Sequence, residues 1–241
     1  MSRVAVDGYL AYTFCPRGTD YYLRCLLKTE PSRLSVVLEH GRFLTYNPPS
    51  VTMTPTSMDA YNRPRYLLDL AANVRLGTIV PQKIWVPTAP GDFQRHVAGA
   101  QLQMPIFFVQ STGAIGIPLA WAAGGVTQSL YNATAQAPMG GKTTTHFCLN
   151  WPGYGEFTRQ VEIQSHHAPI SMDRLARRIG SVIDMFIEEK ANVNPTDPNW
   201  KVSKYQGHGI TRNDITIIGM VHVSAGKWMP MLQVNRHIVT M

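Results

Sequence analysis

Ile170-Ser171-Met172-Asp173-Arg174-Leu175-Ala176-Arg177-Arg178-Ile179-Gly180-Ser181-Val182-Ile183-Asp184-Met185-Phe186-Ile187-Glu188-Glu189 is the stretch from which the fold is read. Met172, Leu175, Ile179, Val182, Ile183, Phe186 and Ile187 recur at the 3.6-residue period and make one apolar face, while Arg174, Arg177, Asp184 and Glu188 fall opposite. Ser171 stands where an N-cap belongs, and Ile170 and Leu175 are placed as a hydrophobic staple. Asn192 to Pro195 ends the segment. The spacing predicts one amphipathic helix over 171–189.

Working outward, Arg159 to Gln164 reads as a strand just before the helix. Asp214 to Val239 reads as two strands folded back through Ser224-Ala225-Gly226-Lys227. An order of strand, helix, strand, strand packs a helix across one face of a sheet. The predicted class is therefore α+β: a β-rich, mostly antiparallel sheet with one main helix. The 241 residues, 44% hydrophobic, can bury a large core, and no Gly/Ser run or charge block divides them, so 1–241 is read as a single domain.

Upstream, short apolar runs at Tyr21 to Leu27, Leu34 to Leu38, Arg42 to Tyr46, Ile79 to Val86 and Pro105 to Gln110 lie between Pro, Gly and Asn breakers and are predicted as strands. Ser57 to Asn73 reads instead as a short helix after Pro64. Residues 114–145 are rich in Ala, Gly, Thr and Gln, a composition that predicts little core and a long loop or insertion, a natural wall for a site.

The formal charge of +7 implies attraction to anionic partners. Arg174, Arg177 and Arg178 fall in the first two helical turns and Glu188 and Glu189 at the end, which opposes the helix dipole at a cost of about 0.3–1 kcal/mol per exposed charge. One explanation is an anion site formed by the helix N-terminus, those arginines and His166 and His167, with Lys142 added for a nucleic-acid partner. The other is a solvated face on which Asp173 and Asp184 screen the arginines.

Pro138-Met139-Gly140-Gly141-Lys142-Thr143 resembles the end of a phosphate-binding loop, but Gln136 stands where the motif needs its first glycine, and Thr144 to Cys148 after it reads as strand where the motif needs helix. A flexible turn is the simpler reading. Cys148 with His146, His166 or His167 offers a thiol and imidazole pair, but no glycine elbow or supporting carboxylate accompanies it. The eight histidines include no HExxH or HxH spacing, and with 15 Asp and Glu no carboxylate pair stands out. No catalytic residue, metal site or cofactor is assigned. An enzyme stays open, and a non-enzymatic role is favoured. The three cysteines, Cys15, Cys25 and Cys148, form no CxxC pair and predict no disulfide framework. No apolar leader opens the chain and no apolar stretch is long enough for a membrane span, so a cytoplasmic, membrane-free protein is expected. Asn132-Ala133-Thr134 matches a glycosylation sequon, read as chance in that setting.

Five tryptophans remain. Trp228 with Met229 and Met231 in the last strand, and Trp151 before the strand at Arg159, are read as aromatic anchors at sheet ends. Pro230 lacks an N–H for a central ladder and places that strand at an edge or a bulge. These residues predict an interface, with a homo-oligomer or protein partner added along the edge.

The combination of Trp151-Pro152-Gly153-Tyr154, Arg159-Gln160-Val161, the helix, Gly209-Ile210-Thr211-Arg212, Ile217-Ile218-Gly219 and His222 through Pro230 resembles an uncharacterised domain family of mushroom-forming (basidiomycete) fungi. The likeness covers about residues 150–240 and consists of core and turn residues. It implies a fungal source and the same strand, helix and hairpin order, and no activity.

Overall fold

The computed structural model describes residues 4–29, 35–47, 54–165 and 168–238. The chain opens with α1 (Val4–Asp7) and α2 (Tyr9–Leu27), followed by β1 (Val36–Glu39), β2 (Arg42–Thr45), β3 (Ser57–Met58), β4 (Pro64–Leu70) and β5 (Thr78–Ile79). Next come α3 (Pro90–Phe93), β6 (Ile106–Phe107), β7 (Ile117–Pro118), α4 (Leu119–Gly124), β8 (Thr144–Leu149) and β9 (Phe157–Glu162). The tight pair β10 (Gln164–Ser165) and β11 (Ala168–Pro169) leads into α5 (Met172–Lys190), and the hairpin of β12 (Ile215–Ser224) and β13 (Lys227–Val234) closes the fold.

The class is α+β with mostly antiparallel pairing. A seven-stranded sheet runs β6-β12-β13-β8-β9, with β5 also on β13 and β7 also on β12. Its one parallel pair is β13 with β8. A separate four-stranded sheet runs β1-β2-β4-β3.

Both faces of the large sheet are covered, and β13 shows it residue by residue. Trp228, Leu232 and Val234 point into the core shared with α5, whereas Met229 and Met231 point into a second core shared with α2, Phe43, Leu68 and Leu70. In β12 the parity changes midway. Ile215 and Ile217 face α5, and so does Met220, because the register shift between Ile217 and Gly219 inserts one residue and turns the later side chains over.

On the α5 side the predicted apolar face is the buried one: Leu175, Ile179, Val182, Ile183, Phe186 and Ile187 are all in the core. Phe186 is ringed by Trp151, Tyr154 and Phe157 at centroid distances of 5.7, 5.6 and 5.4 Å. Gly180 brings α4 close, since a Cβ there would lie 2.7 Å from the backbone nitrogen of Ala123.

Several expectations are corrected. Tyr21 to Leu27 is the second half of α2, not a strand. The helix is interrupted at Cys15, with φ of 57° and ψ of 166°, before Pro16, so the run seen in sequence is too short to reveal its period. Ser57 to Asn73 holds β3 and β4, not a helix. β4 pairs with β2 on one side and β3 on the other, and buried Asp69 accepts the backbone N–H of Leu10 at 3.0 Å at the start of α2. Residues 114–145 include β7 and α4, and Ile117, Leu119, Ala122, Leu130, Ala137 and Met139 are core residues, so a few apolar anchors spaced among the Ala, Gly and Thr bury this segment where little core was expected. Pro230 lies in a central strand. On the side of β13 away from β12, β8 pairs only at Lys227 and Trp228 and β5 only at Gln233 and Val234. Between them the Gln82 side chain donates to the Pro230 carbonyl at 2.6 Å. A proline is tolerated where no strand runs opposite.

Candidate cationic cleft on α5

Arg174, Arg177, Arg178 and Ser181 sit at i, i+3, i+4 and i+7, a spacing that stacks them on one face of α5. They line a cavity of about 520 Å³ together with Glu162 at the end of β9, Gln164 on β10 and Ile170 just before the helix. Glu162 is the sole carboxylate among those lining residues. Its carboxylate is 3.9 Å from Arg178, with both side chains more than half exposed, so water screens the pair and it contributes little. Among the described residues Arg177 has no carboxylate within ion-pair distance. Its guanidinium instead lies against Gly125, the left-handed residue that ends α4. The C-terminal carbonyls of a helix favour a cation there.

The other end of α5 is balanced internally. Glu188 pairs with Lys204, Glu189 with Arg159, and Asp184 with Arg212 at 3.2 Å. The reversed charge order read from the sequence thus divides into two halves: acidic residues paired with cations at one end, and arginines that line a cleft at the other. Partial burial raises the Asp184 carboxyl, and Arg212 pulls it back down.

The expected helix N-terminal anion site is closed. The N–H groups of Met172 and Asp173 donate to the carbonyls of Ala135 and Ala133, both at 2.9 Å. Ser171 occupies the N-cap position but its hydroxyl goes to the Asp173 carboxylate, not to the backbone. The segment around 133–137 therefore straps the start of the helix, with Gln136 bridged to Ser171 and the Ala137 N–H on the Ile170 carbonyl. His166 and His167 lie outside the described residues.

Lys142 belongs elsewhere. It donates to the Ala225 carbonyl and lines a different cavity, of about 230 Å³, with Gly140, Gly141, Gln103, His222 and Trp228. His222 is buried there. Its Nδ1 accepts the Gln103 N–H at 2.9 Å, and its ring stacks on Trp228 at 4.4 Å. Burial, with Lys142 adding to it, pushes this imidazole down to about 4, so it is neutral at pH 7.

The expected interface anchors are core residues. Trp151, Trp228, Met229 and Met231 are each no more than 1% exposed, and the Trp151 indole N–H donates to the Trp200 carbonyl at 2.9 Å. A strand covered on both faces carries bulky apolar residues at every position, which in sequence looks like a sticky edge. Of the expected thiol and imidazole pair, burial raises the Cys148 thiol to about 11, against what a nucleophile needs, and His166 and His167 lie outside the described residues. Among the described residues, no group of three or more His, Cys, Asp and Glu side chains could hold a metal. No helix among them is long and apolar enough to cross a membrane.

The sequence pointed to the arginines but missed the rest of the cleft. Ser181 was findable from the seven-residue step after Arg174. Glu162, Gln164 and the strap are brought in by tertiary packing and leave no local signal.

No protein-family model, no curated protein and no solved structure matches this chain. Fold and site together define an α+β protein whose principal helix carries an arginine-lined cleft.

Proposed function

We propose that this protein binds a phosphate-bearing anion in the cleft on α5. One observation carries the reading: Arg177 and Arg178 line a cavity of about 520 Å³ beside Arg174, and the one carboxylate among its lining residues, Glu162, is screened by water. Like charges at i and i+4 repel, and an anion between them relieves the repulsion while gaining charge-assisted, forked hydrogen bonds. The net charge of +7 draws such a ligand in. The protein acts here as a binder, with no reacting group assigned.

The test is calorimetric titration with inorganic polyphosphate, which carries phosphates and nothing else. The wild type should bind, with affinity falling steeply between about 0.05 and about 0.5 M salt. The Arg177→Ala/Arg178→Ala variant should lose most of that affinity. Binding that is unchanged in the variant would rule the cleft out.

A second reading, association of copies along a sheet edge, has one observation in its favour. β9 is the last strand of the large sheet and belongs to the C-terminal block. Thr158, Arg159 and Gln160 are only partly buried or exposed on it, and an edge strand offers unpaired backbone groups to a second chain. Light scattering of an Arg159→Pro variant decides this: an assembly held by β9 falls apart, and one held elsewhere does not.

A further inference from the structure

We propose that the cavity beside Lys142 binds a small carboxylate with an apolar body, the carboxylate on the Lys142 ammonium and the body against Met139 and Ile163. This cavity measures about 230 Å³ and shares no lining residue with the arginine cleft. Its burial pattern orients the ligand. Met139, Ile163, His222 and Trp228 are buried and form the interior, while Gly140, Gly141 and Lys142 are exposed and form the mouth. The Gly-Gly-Lys segment that resembles a phosphate loop in sequence is therefore one lip of this cavity.

That lip is pinned. The Met139 N–H donates to the Ala137 carbonyl at 2.8 Å, the Gln164 amide donates to the Gly141 carbonyl at 3.2 Å, and the Lys142 ammonium donates to the Ala225 carbonyl. Ala225 is itself fixed in the β12–β13 turn, where its N–H donates to the His96 carbonyl at 2.7 Å. The cation is thus held in place before any ligand arrives, which lowers the ordering cost of binding. An ammonium carries more donors than the one that Ala225 takes. None of the lining residues is acidic, and among the described residues no carboxylate lies within ion-pair distance of Lys142.

A mostly apolar lining with a few polar groups is how small-molecule sites are built, and a cavity of this size takes less than a drug-sized ligand. The charge sets the class. A lysine is a point charge without the fork of an arginine, and His222 is neutral, so the site matches a monoanion better than a phosphate dianion. A cationic ligand would be repelled by Lys142, and an uncharged one would leave the ammonium without a counter-charge.

Calorimetric titration with benzoate tests this, with benzamide as its uncharged counterpart, acetate as a carboxylate without the body, and inorganic phosphate as the competing anion. Benzoate should saturate a single site, and the other probes should bind at least about tenfold more weakly. Lys142→Met keeps the stem and removes the charge, and it should weaken benzoate by about tenfold. Lys142→Arg should restore most of that loss. The Arg177→Ala/Arg178→Ala variant should bind benzoate as the wild type does while losing polyphosphate, so the two sites fail independently. Benzoate that does not saturate, that ignores Lys142→Met, or that is lost with the two arginines overturns the proposal. Benzamide or phosphate bound as tightly as benzoate overturns the carboxylate, and acetate bound as tightly overturns the apolar body.

Discussion

The guanidinium of Arg177 rests on Gly125, with Nη2 2.8 Å from the position a Cβ would occupy. Gly125 also has φ of 77°, a conformation that side chains other than glycine resist. A Gly125→Ala substitution should therefore act twice. It should cost about 1 kcal/mol of stability through the left-handed backbone, and it should displace Arg177 and weaken polyphosphate. Denaturant unfolding and titration of the same variant check both effects, and an affinity equal to the wild type's would separate Arg177 from the site.

Gly180 makes a second close approach, and this one is to backbone. Its missing Cβ would stand 2.7 Å from the Ala123 nitrogen and 3.1 Å from the Ala122 carbonyl carbon. Gly180→Leu must push α4 away from α5, and overpacking of this kind costs roughly 1–3 kcal/mol or more. A lower urea midpoint is expected. An unchanged midpoint would show that α4 does not pack on α5 as described.

Trp151 fills the core beside Phe186 and Trp200 and donates its indole hydrogen to a buried carbonyl. Trp151→Ala should cost about 3–5 kcal/mol, the range for removing a large buried aromatic. The folded fraction should keep the wild-type mass by light scattering. A change of mass without loss of stability would return Trp151 to an interface.

Thiol chemistry offers an independent check on burial. Cys15 is exposed, and Cys25 and Cys148 are buried. A soluble disulfide reagent at pH 8 should label one thiol quickly in the native protein and three in denaturant. Burial holds both inner thiols above their ordinary pKa, which slows them further. Two or three fast thiols would mean that the layers over the sheet open readily.

How much of this was legible in the sequence depends on how each segment is buried. α5 is covered on one side only, so its period stands out, and its boundaries, 172–190, differ from the expected 171–189 by one residue at each end. The β12–β13 hairpin was legible as strands, but its place in the sheet was not. A central strand with two dry faces and an edge strand with adhesive residues present the same letters, and only the positions of α2 and the small sheet distinguish them. α2 itself was hidden by the break at Cys15–Pro16, and β4 by Asp69, a buried carboxyl whose partners, the N–H groups of Leu10 and Leu70, include one 59 residues away. At the site, the arginines were visible because they defy the dipole. Their Glu162 and Gln164 neighbours were not, since sequence spacing says nothing about which strand end meets a helix.

His222 links that buried architecture to pH. Its Nδ1 accepts the Gln103 N–H, its ring stacks on Trp228, and burial with Lys142 nearby depresses it to about 4 from the ordinary 6.5. Between those two values the unfolded chain binds a proton that the folded chain refuses. Stability from this residue is thus fully present above about pH 6.5 and is lost as pH falls to about 4, by roughly 3 kcal/mol in all. His222→Phe cannot titrate, and it also loses the Gln103 contact at every pH. Its unfolding free energy should therefore lie below the wild type's at pH 7 and converge on it by roughly 3 kcal/mol toward pH 4. Urea unfolding of both proteins across that window measures the gap, and two parallel curves would show that the imidazole is hydrated and titrates normally.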